Sequence, residues 1–269
     1  VKTIEKPWGE WFSLDELEAA LIEYKPAILA LVHAETSTGV CQPMDGVGDL
    51  CRKHDCLLLL DTVTSLGGVP LYIDEWKVDL AYSCSQKGLS CPPGLGPFTM
   101  GPRAEEKMAS RSGKVPNWYL DVSLLNQYWG SDRVYHHTAP VNMNFGMREA
   151  LRLLAEEGLD QAWARHRRNA ERLWSGLERQ GLSMHVPEEL RLPTLTTVRI
   201  PDGVDGKAFS QHLLNTHGIE VGGGLGSLAG KIWRIGLMGY NSTPENVDRL
   251  LNLFETELPR FSGSVAAAA

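Results

Sequence analysis

Two short apolar runs constrain this chain more than any other feature. Ala27–His33 reads AILALVH and Leu57–Leu60 reads LLLL, closed by Asp61. Strands that are apolar on both faces are buried on both faces, which is the habit of a parallel sheet covered by helices. The intervening sequence is suited to that arrangement. Ser13-Leu14-Asp15-Glu16 forms a capping box, and Leu14, Leu17, Leu21 and Tyr24 follow at helical spacing, so a helix is expected over 14–24, ended by Pro26. Pro43–His54 places Val47, Leu50 and Cys51 on one helical face. Further strands are expected over 78–83 and 94–100. The predicted class is α/β, with a mostly parallel sheet.

From about Met143 the pattern turns helical. Met147, Leu151 and Leu154 make one stripe, and after Gly158 a longer one runs through Leu159, Trp163, Ala170, Leu173, Trp174 and Leu177. Arg165-His166-Arg167-Arg168 interrupts it and reads as a solvated helix face. Strands at 194–200 and 232–237 alternate with helices at 207–217 and 244–258, the last capped by Thr243 with Pro244 in its first turn. Two units are expected: a large α/β unit over 1–157 and a smaller α+β unit over 158–269. Ser262–Ala269 reads as a frayed tail.

The chain has 269 residues, of which 43% are hydrophobic, and its formal net charge is −7. That acidity argues against nucleic-acid binding by bulk phosphate neutralisation. No apolar run reaches the roughly 18 residues of a membrane helix, so neither nucleic acid nor membrane is an expected partner. The five cysteines, Cys41, Cys51, Cys56, Cys84 and Cys91, form no Cys-x-x-Cys pair. They read as reduced thiols of an intracellular protein.

Several motifs fail on spacing. The cluster Gly222-Gly223-Gly224-Leu225-Gly226 lacks the third glycine of a dinucleotide fingerprint, because position 229 is Ala229, and the Lys-Ser/Thr pair of a P-loop, because position 232 is Ile232. There is no Gly-x-Ser-x-Gly elbow. His136-His137 has no carboxylate or cysteine at ligand spacing. In an extended segment its side chains would diverge, so a structural role is expected and no metal site is predicted.

Three residues survive. Asp61 stands at the carboxyl end of an apolar strand, where open α/β sheets bind ligands. Lys87, between Ser83-Cys84-Ser85-Gln86 and Gly88, lies far enough beyond Asp61 for the helical crossover of a βαβ unit. Arg234 sits in the strand near the C-terminus. Spacing alone leaves open whether Lys87 is functional or an idle surface lysine.

The sequence around these residues resembles the fold-type I, pyridoxal-phosphate-dependent class V aminotransferases, nearest to their alanine–glyoxylate / serine–pyruvate branch. The resemblance is carried by His33-Ala34-Glu35-Thr36-Ser37-Thr38-Gly39-Val40, Leu60-Asp61-Thr62-Val63-Thr64-Ser65-Leu66-Gly67-Gly68 and Tyr82-Ser83-Cys84-Ser85-Gln86-Lys87-Gly88-Leu89. Tyr135–Val141, Leu190–Thr194, Gly223–Gly226 and Arg234–Gly239 continue it in the same order. It implies that Lys87 is the Schiff-base lysine and later the general base. Asp61 would pair with the pyridine nitrogen, and Val63 would pack on the ring. Thr36 would lie near the ring oxygen, and Gln86 in the phosphate cradle. Arg234 would take the substrate carboxylate by a bidentate bond. Tyr135 and Thr138 would reach the phosphate of a neighbouring subunit, which implies a homodimer.

The implied reaction moves an amino group from alanine or serine to glyoxylate. It gives glycine and pyruvate or hydroxypyruvate. A serine–glyoxylate or 3-hydroxykynurenine transaminase is the alternative within the family, and a non-catalytic, dimerising chain the alternative outside it. A cysteine desulfurase is disfavoured, since Gln86 precedes Lys87 and no cysteine follows Cys91. Peroxisomal location is an expectation by analogy, with mitochondria or cytosol as alternatives. The phosphate loop and stacking aromatic of the family are not found in Val1–Trp11, so the expectation is a subunit without its N-terminal part and with doubtful activity alone.

Overall fold

A computed structural model describes residues 1–263. The first helix, α1 (Leu14–Tyr24), begins at the predicted capping box. Ser13 Oγ accepts from Glu16 N, and Glu16 Oε2 accepts from Ser13 N at 2.9 Å. The chain then forms β1 (Ile28–Val32), a small hairpin of β2 (Ala34–Glu35) and β3 (Val40–Cys41), and α2 (Val47–Lys53). The second helix is shorter than the sequence suggests. Gly46 at φ 83° holds a left-handed turn just before it, which keeps Pro43–Gly46 out of the helix. Strands β4 (Leu57–Asp61), β5 (Leu80–Tyr82) and β6 (Phe98–Met100) complete a four-stranded sheet in the order β1-β4-β5-β6.

Pairing is parallel between β1 and β4 and between β4 and β5, and antiparallel between β5 and β6. The connection from β4 to β5 is not the expected helical crossover. Residues 62–79 form successive turns. Gly67 adopts φ 80° and Pro70 follows within three residues, a combination that stops helix propagation.

One apolar core lies between this sheet and α1 and α2, built on Leu17, Leu21, Val47, Cys51, Leu58 and Leu60. Under it, the buried Asp79 accepts from Leu58 N at 2.9 Å and from Arg103 Nη1 at 3.0 Å. Arg103 belongs to α3 (Pro102–Ala109), and its other nitrogen donates to Cys56 O at 3.2 Å. A buried carboxylate needs such partners, because removing one leaves a charge uncompensated. All five cysteines are free thiols.

After α4 (Val122–Trp129), two long helices, α5 (Val141–Glu157) and α6 (Leu159–Arg179), meet at Gly158, whose φ of 84° turns the chain between them. A three-stranded antiparallel sheet of β7 (Leu195–Arg199), β8 (Gly222–Gly223) and β9 (Ile232–Gly236), in the order β7-β9-β8, packs with α6, α7 (Gly206–His217) and α8 (Pro244–Glu257). Strands β7 and β9 and helices α7 and α8 follow the predicted elements within about two residues, whereas β8 is not among the expected strands. Leu173, Leu177, Phe209, Trp233 and Phe254 centre this second core. Of the segment read as a frayed tail, 264–269 lie outside the described residues. Ser262 is not frayed, because it bridges Val204, and Gly263 N donates to Gly203 O at 2.9 Å.

Leu60 has no exposed surface and belongs to the strand that ends in Asp61. Leu60→Ala should cost about 2–5 kcal/mol, the transfer term plus an unfilled cavity. Leu225→Ala, at a side chain 48% exposed, should stay within about 0.5 kcal/mol. Urea unfolding of the two variants against the parent measures both.

Candidate active site

The parallel register sets Asp61 beside Tyr82 at the carboxyl end of the sheet. Asp61 is held at both carboxylate oxygens. Oδ1 accepts from Val63 N at 2.8 Å, and Oδ2 accepts from the Tyr82 hydroxyl at 2.6 Å. That hydrogen bond, with some burial, pushes the Tyr82 phenol up to about 12. Thr62, buried next to Asp61, donates its hydroxyl to Tyr82 O at 2.8 Å, so the pair of strand ends is pinned from both sides. The sequence reading missed Tyr82. The register of β5 against β4 sets it beside a strand-end carboxylate, and tyrosine is the long side chain that reaches across one strand spacing.

Lys87 follows on the turn after β5, half-buried, with Gly88 buried behind it. A Cβ at Gly88 would collide with Leu66 O, so this close approach of two loops needs glycine. Lys87, Gln86 and Arg234 line one open cleft of about 630 Å³, with Glu220, Met238 and Tyr240 on its other walls. Arg234 comes from β9. Its Nε donates to Gly223 O at 2.7 Å and its Nη1 to Thr36 O at 3.3 Å. Thr36 therefore joins Arg234 through its carbonyl. Val63 is tied to Asp61 through its amide. Tyr135 and Thr138 bond each other at 3.0 Å, are exposed, and do not line this cleft.

The far wall of the cleft, Met238–Asn241, is fixed by α6. Arg165 Nη1 donates to Gly239 O at 2.8 Å and to Ser242 O at 2.9 Å, while its remaining nitrogens pair with Glu157. His166, fully buried, accepts from Gly239 N at 2.8 Å through Nε2, and its Nδ1 lies 2.7 Å from Ala162 O. Asn169 donates to Ser242 O at 2.8 Å. The basic run is thus not a solvated face throughout. Arg165 and His166 point inward, and only Arg167 and Arg168 face solvent. The charge run concealed this, because His166 is held neutral while its neighbours are ionised. His136 and His137 also depart from expectation. Their rings do not diverge but bring the two Nδ1 atoms to 2.9 Å, and His136 stacks on Trp118 at 4.0 Å.

Buried threonines of the second sheet complete the junction. Thr194 Oγ1 donates to Thr64 O at 3.0 Å and Thr197 Oγ1 to Thr38 O at 2.7 Å. They dock the turn after β4 and the loop carrying Thr36.

An amine and a guanidinium, Lys87 and Arg234, therefore line one cleft, while the doubly held carboxylate of Asp61 ends β4 and is not among its lining residues. The family model described as aminotransferase class-V matches residues 1–250. The chain belongs to the class V aminotransferase family. It is 46% identical over 251 residues to an alanine–glyoxylate aminotransferase of Mus musculus, covering 92% of this chain and 60% of that relative. A solved alanine–glyoxylate aminotransferase from Nostoc sp. superposes with a TM-score of 0.93 at 66% identity, over 94% of this chain and 67% of that one. A ureidoglycine–glyoxylate aminotransferase from Bacillus subtilis gives the same TM-score at 39% identity, over 96% and 67%. The chain spans about 60% of the length of the mouse relative. The α/β fold is that of the family, whose members depend on pyridoxal phosphate. The donor set fits that group: a free-standing lysine, a carboxylate oriented by an amide and a phenol, and an apolar Val63 side chain beside them.

The His166 contact makes a measurable prediction. Burial holds its pKa below the ordinary 6.5. The depressed value means that its stabilisation is complete above about pH 6.5 and is lost as pH falls through the folded-state value. His166→Ala, which leaves Gly239 N–H unpaired, should cost about 1–3 kcal/mol at pH 8. The gap between parent and variant in chemical denaturation should narrow below pH 6.

Proposed function

We propose that this chain is the catalytic part of a pyridoxal-phosphate-dependent transaminase that moves an amino group from alanine or serine to glyoxylate. The observation that carries the reading is the juxtaposition of Lys87 and Arg234 in one cleft, in a chain 46% identical to an alanine–glyoxylate aminotransferase. The Bacillus subtilis relative shares glyoxylate in its name and differs in the amino donor. The acceptor is accordingly the firmer half of the assignment.

In this reading bound pyridoxal phosphate supplies the electron sink for the carbanion at the substrate α-carbon. The residues do the rest. Arg234, already fixed by Gly223 and Thr36 carbonyls, presents its guanidinium to the substrate carboxylate. That contact orients the α-hydrogen towards Lys87. Lys87 would hold the cofactor and, as an amine, would move the substrate's α-proton. Asp61, held in one orientation by Val63 N and Tyr82, would place its charge against the pyridine nitrogen. Val63 would pack on the ring, Thr36 would lie near its oxygen, and Gln86 would belong to the phosphate cradle.

The large cofactor unit is assigned to 1–157 and the small unit to 158–269. Two separate apolar cores favour that division. Homodimerisation with shared phosphate contacts through Tyr135 and Thr138 is part of the proposal. The flanking surface supports it: Trp118, Trp129, Tyr135 and Phe145 are each more than half exposed, an apolar patch of the kind that marks an interface.

In the full-length subunit, Lys87→Ala should abolish both transamination and the borohydride-sensitive visible band while leaving the folded chain intact by circular dichroism. Full turnover in that variant would reject the assignment. Tyr82→Phe should weaken cofactor binding by about tenfold, the worth of one hydrogen bond to a charged group, measured by equilibrium dialysis. A donor panel of alanine, serine, (S)-ureidoglycine and 3-hydroxykynurenine, run on the full-length subunit against glyoxylate and pyruvate, identifies the substrates; no turnover with glyoxylate would overturn the reading.

A further inference from the structure

The small unit carries a second cluster of chemically capable side chains that the transamination chemistry does not use. His212 and His217 stand on α7 and Glu257 ends α8, and one donor atom from each lies within 4.8 Å of the other two. None of the three lines the cleft of Lys87 and Arg234. Two imidazoles and a carboxylate are the donor set of a borderline divalent transition ion rather than of calcium or magnesium.

Three details favour an ion over an ordinary surface cluster. His217 Nε2 is buried and has no hydrogen-bond partner among the described residues. A buried ring nitrogen without a partner costs free energy that a ligand would recover. His212 is braced from behind, since its Nδ1 lies 3.2 Å from Thr216 Oγ1 while its Nε2 faces Glu257 Oε2 at 3.0 Å. A ring fixed through one nitrogen and presenting the other is the arrangement that outer-shell groups impose on metal-ligating histidines. The side chains of His212 and Glu257 are only 23% and 15% exposed, and the Phe261 ring lies 5.3 Å from His212, so water competes weakly there.

Two cationic groups approach the cluster. Arg260 pairs with Glu257, and Arg249 donates to His217 O at 2.6 Å. Glu257 has a second carboxylate oxygen, so it can keep Arg260 while ligating an ion. Arg249 engages a backbone oxygen and leaves the imidazole free.

We propose that His212, His217 and Glu257 form a binding site for one Zn²⁺ ion, with water in the remaining position, that staples the end of α7 to the end of α8. Bonds of about 2.0–2.2 Å put tetrahedral donors about 3.4 Å apart, so the set must draw in from its spread of up to 4.8 Å. Bound zinc would brace the turn at His217–Gly218 that leads into β8, whose Gly223 carbonyl positions Arg234.

The test is isothermal titration of ZnCl₂ into the purified, EDTA-stripped protein, with thermal unfolding and the visible spectrum of the Co²⁺-loaded form as second readouts. The expected result is one saturable zinc per chain and a higher melting temperature with zinc. Binding should be at least about tenfold weaker in His217→Gln and in His212→Gln, and unchanged in His136→Gln, at the other histidine pair. Metal-free circular dichroism and melting curves show whether each variant folds, and Glu257→Gln replaces any that does not. Absence of saturable binding below about 1 mM overturns the site. So does binding within threefold of the parent in either histidine variant, or loss of binding in His136→Gln.

Discussion

The parallel register of Leu57–Asp61 between its two neighbours is the constraint on which the site depends. It pairs Asp61 with Val32 on one side and Tyr82 on the other. A slip of one residue would turn every side chain of the strand to the opposite face, removing Leu58 and Leu60 from the core and Asp61 from Tyr82. Burial of the leucines therefore fixes the direction of the carboxylate. Asp79, bonded to Leu58 N and Arg103, secures the other end of the same strand.

The junction between the two sheets is both apolar and polar: buried clusters of Ala34, Val69, Leu192 and Leu195, and of Val40, Val186 and Leu190, span it. Threonine hydroxyls reach across it to the carbonyls of Thr38 and Thr64, and Arg234 reaches the carbonyl of Thr36. Hydrogen bonds to backbone demand a narrow geometry. The cleft thus gains its positional accuracy from contacts that contribute modestly to stability, while the two large cores lie on either side of the junction.

Much of this was legible in the sequence because periodicity and burial coincide. The apolar runs at 27–33 and 57–60, the capping box at Ser13 and the helices of the second half all report one physical fact, which face is dry. The strand-end positions of Asp61 and Lys87 followed from the same pattern. What was not legible depends on direction rather than on polarity. The turns between β4 and β5 replaced a helix because Gly67 and Pro70 outweighed segment length. Arg165 and His166 turned inward because backbone carbonyls at 239 and 242 needed donors and Gly239 N needed an acceptor. Tyr82 became a partner of Asp61 through cross-strand register, which no single segment encodes.

The wall at Met238–Asn241 is gripped by α6 through main-chain atoms of Gly239 and Ser242. The side chains of Met238, Tyr240 and Asn241 take no part in that grip, and Tyr240 is 86% exposed. Anchorage and lining are chemically separate at this wall. Its residues can be exchanged to suit a different amino donor while the helix, the buried histidine and both cores stay as they are, so one scaffold can diversify its substrates at little structural risk.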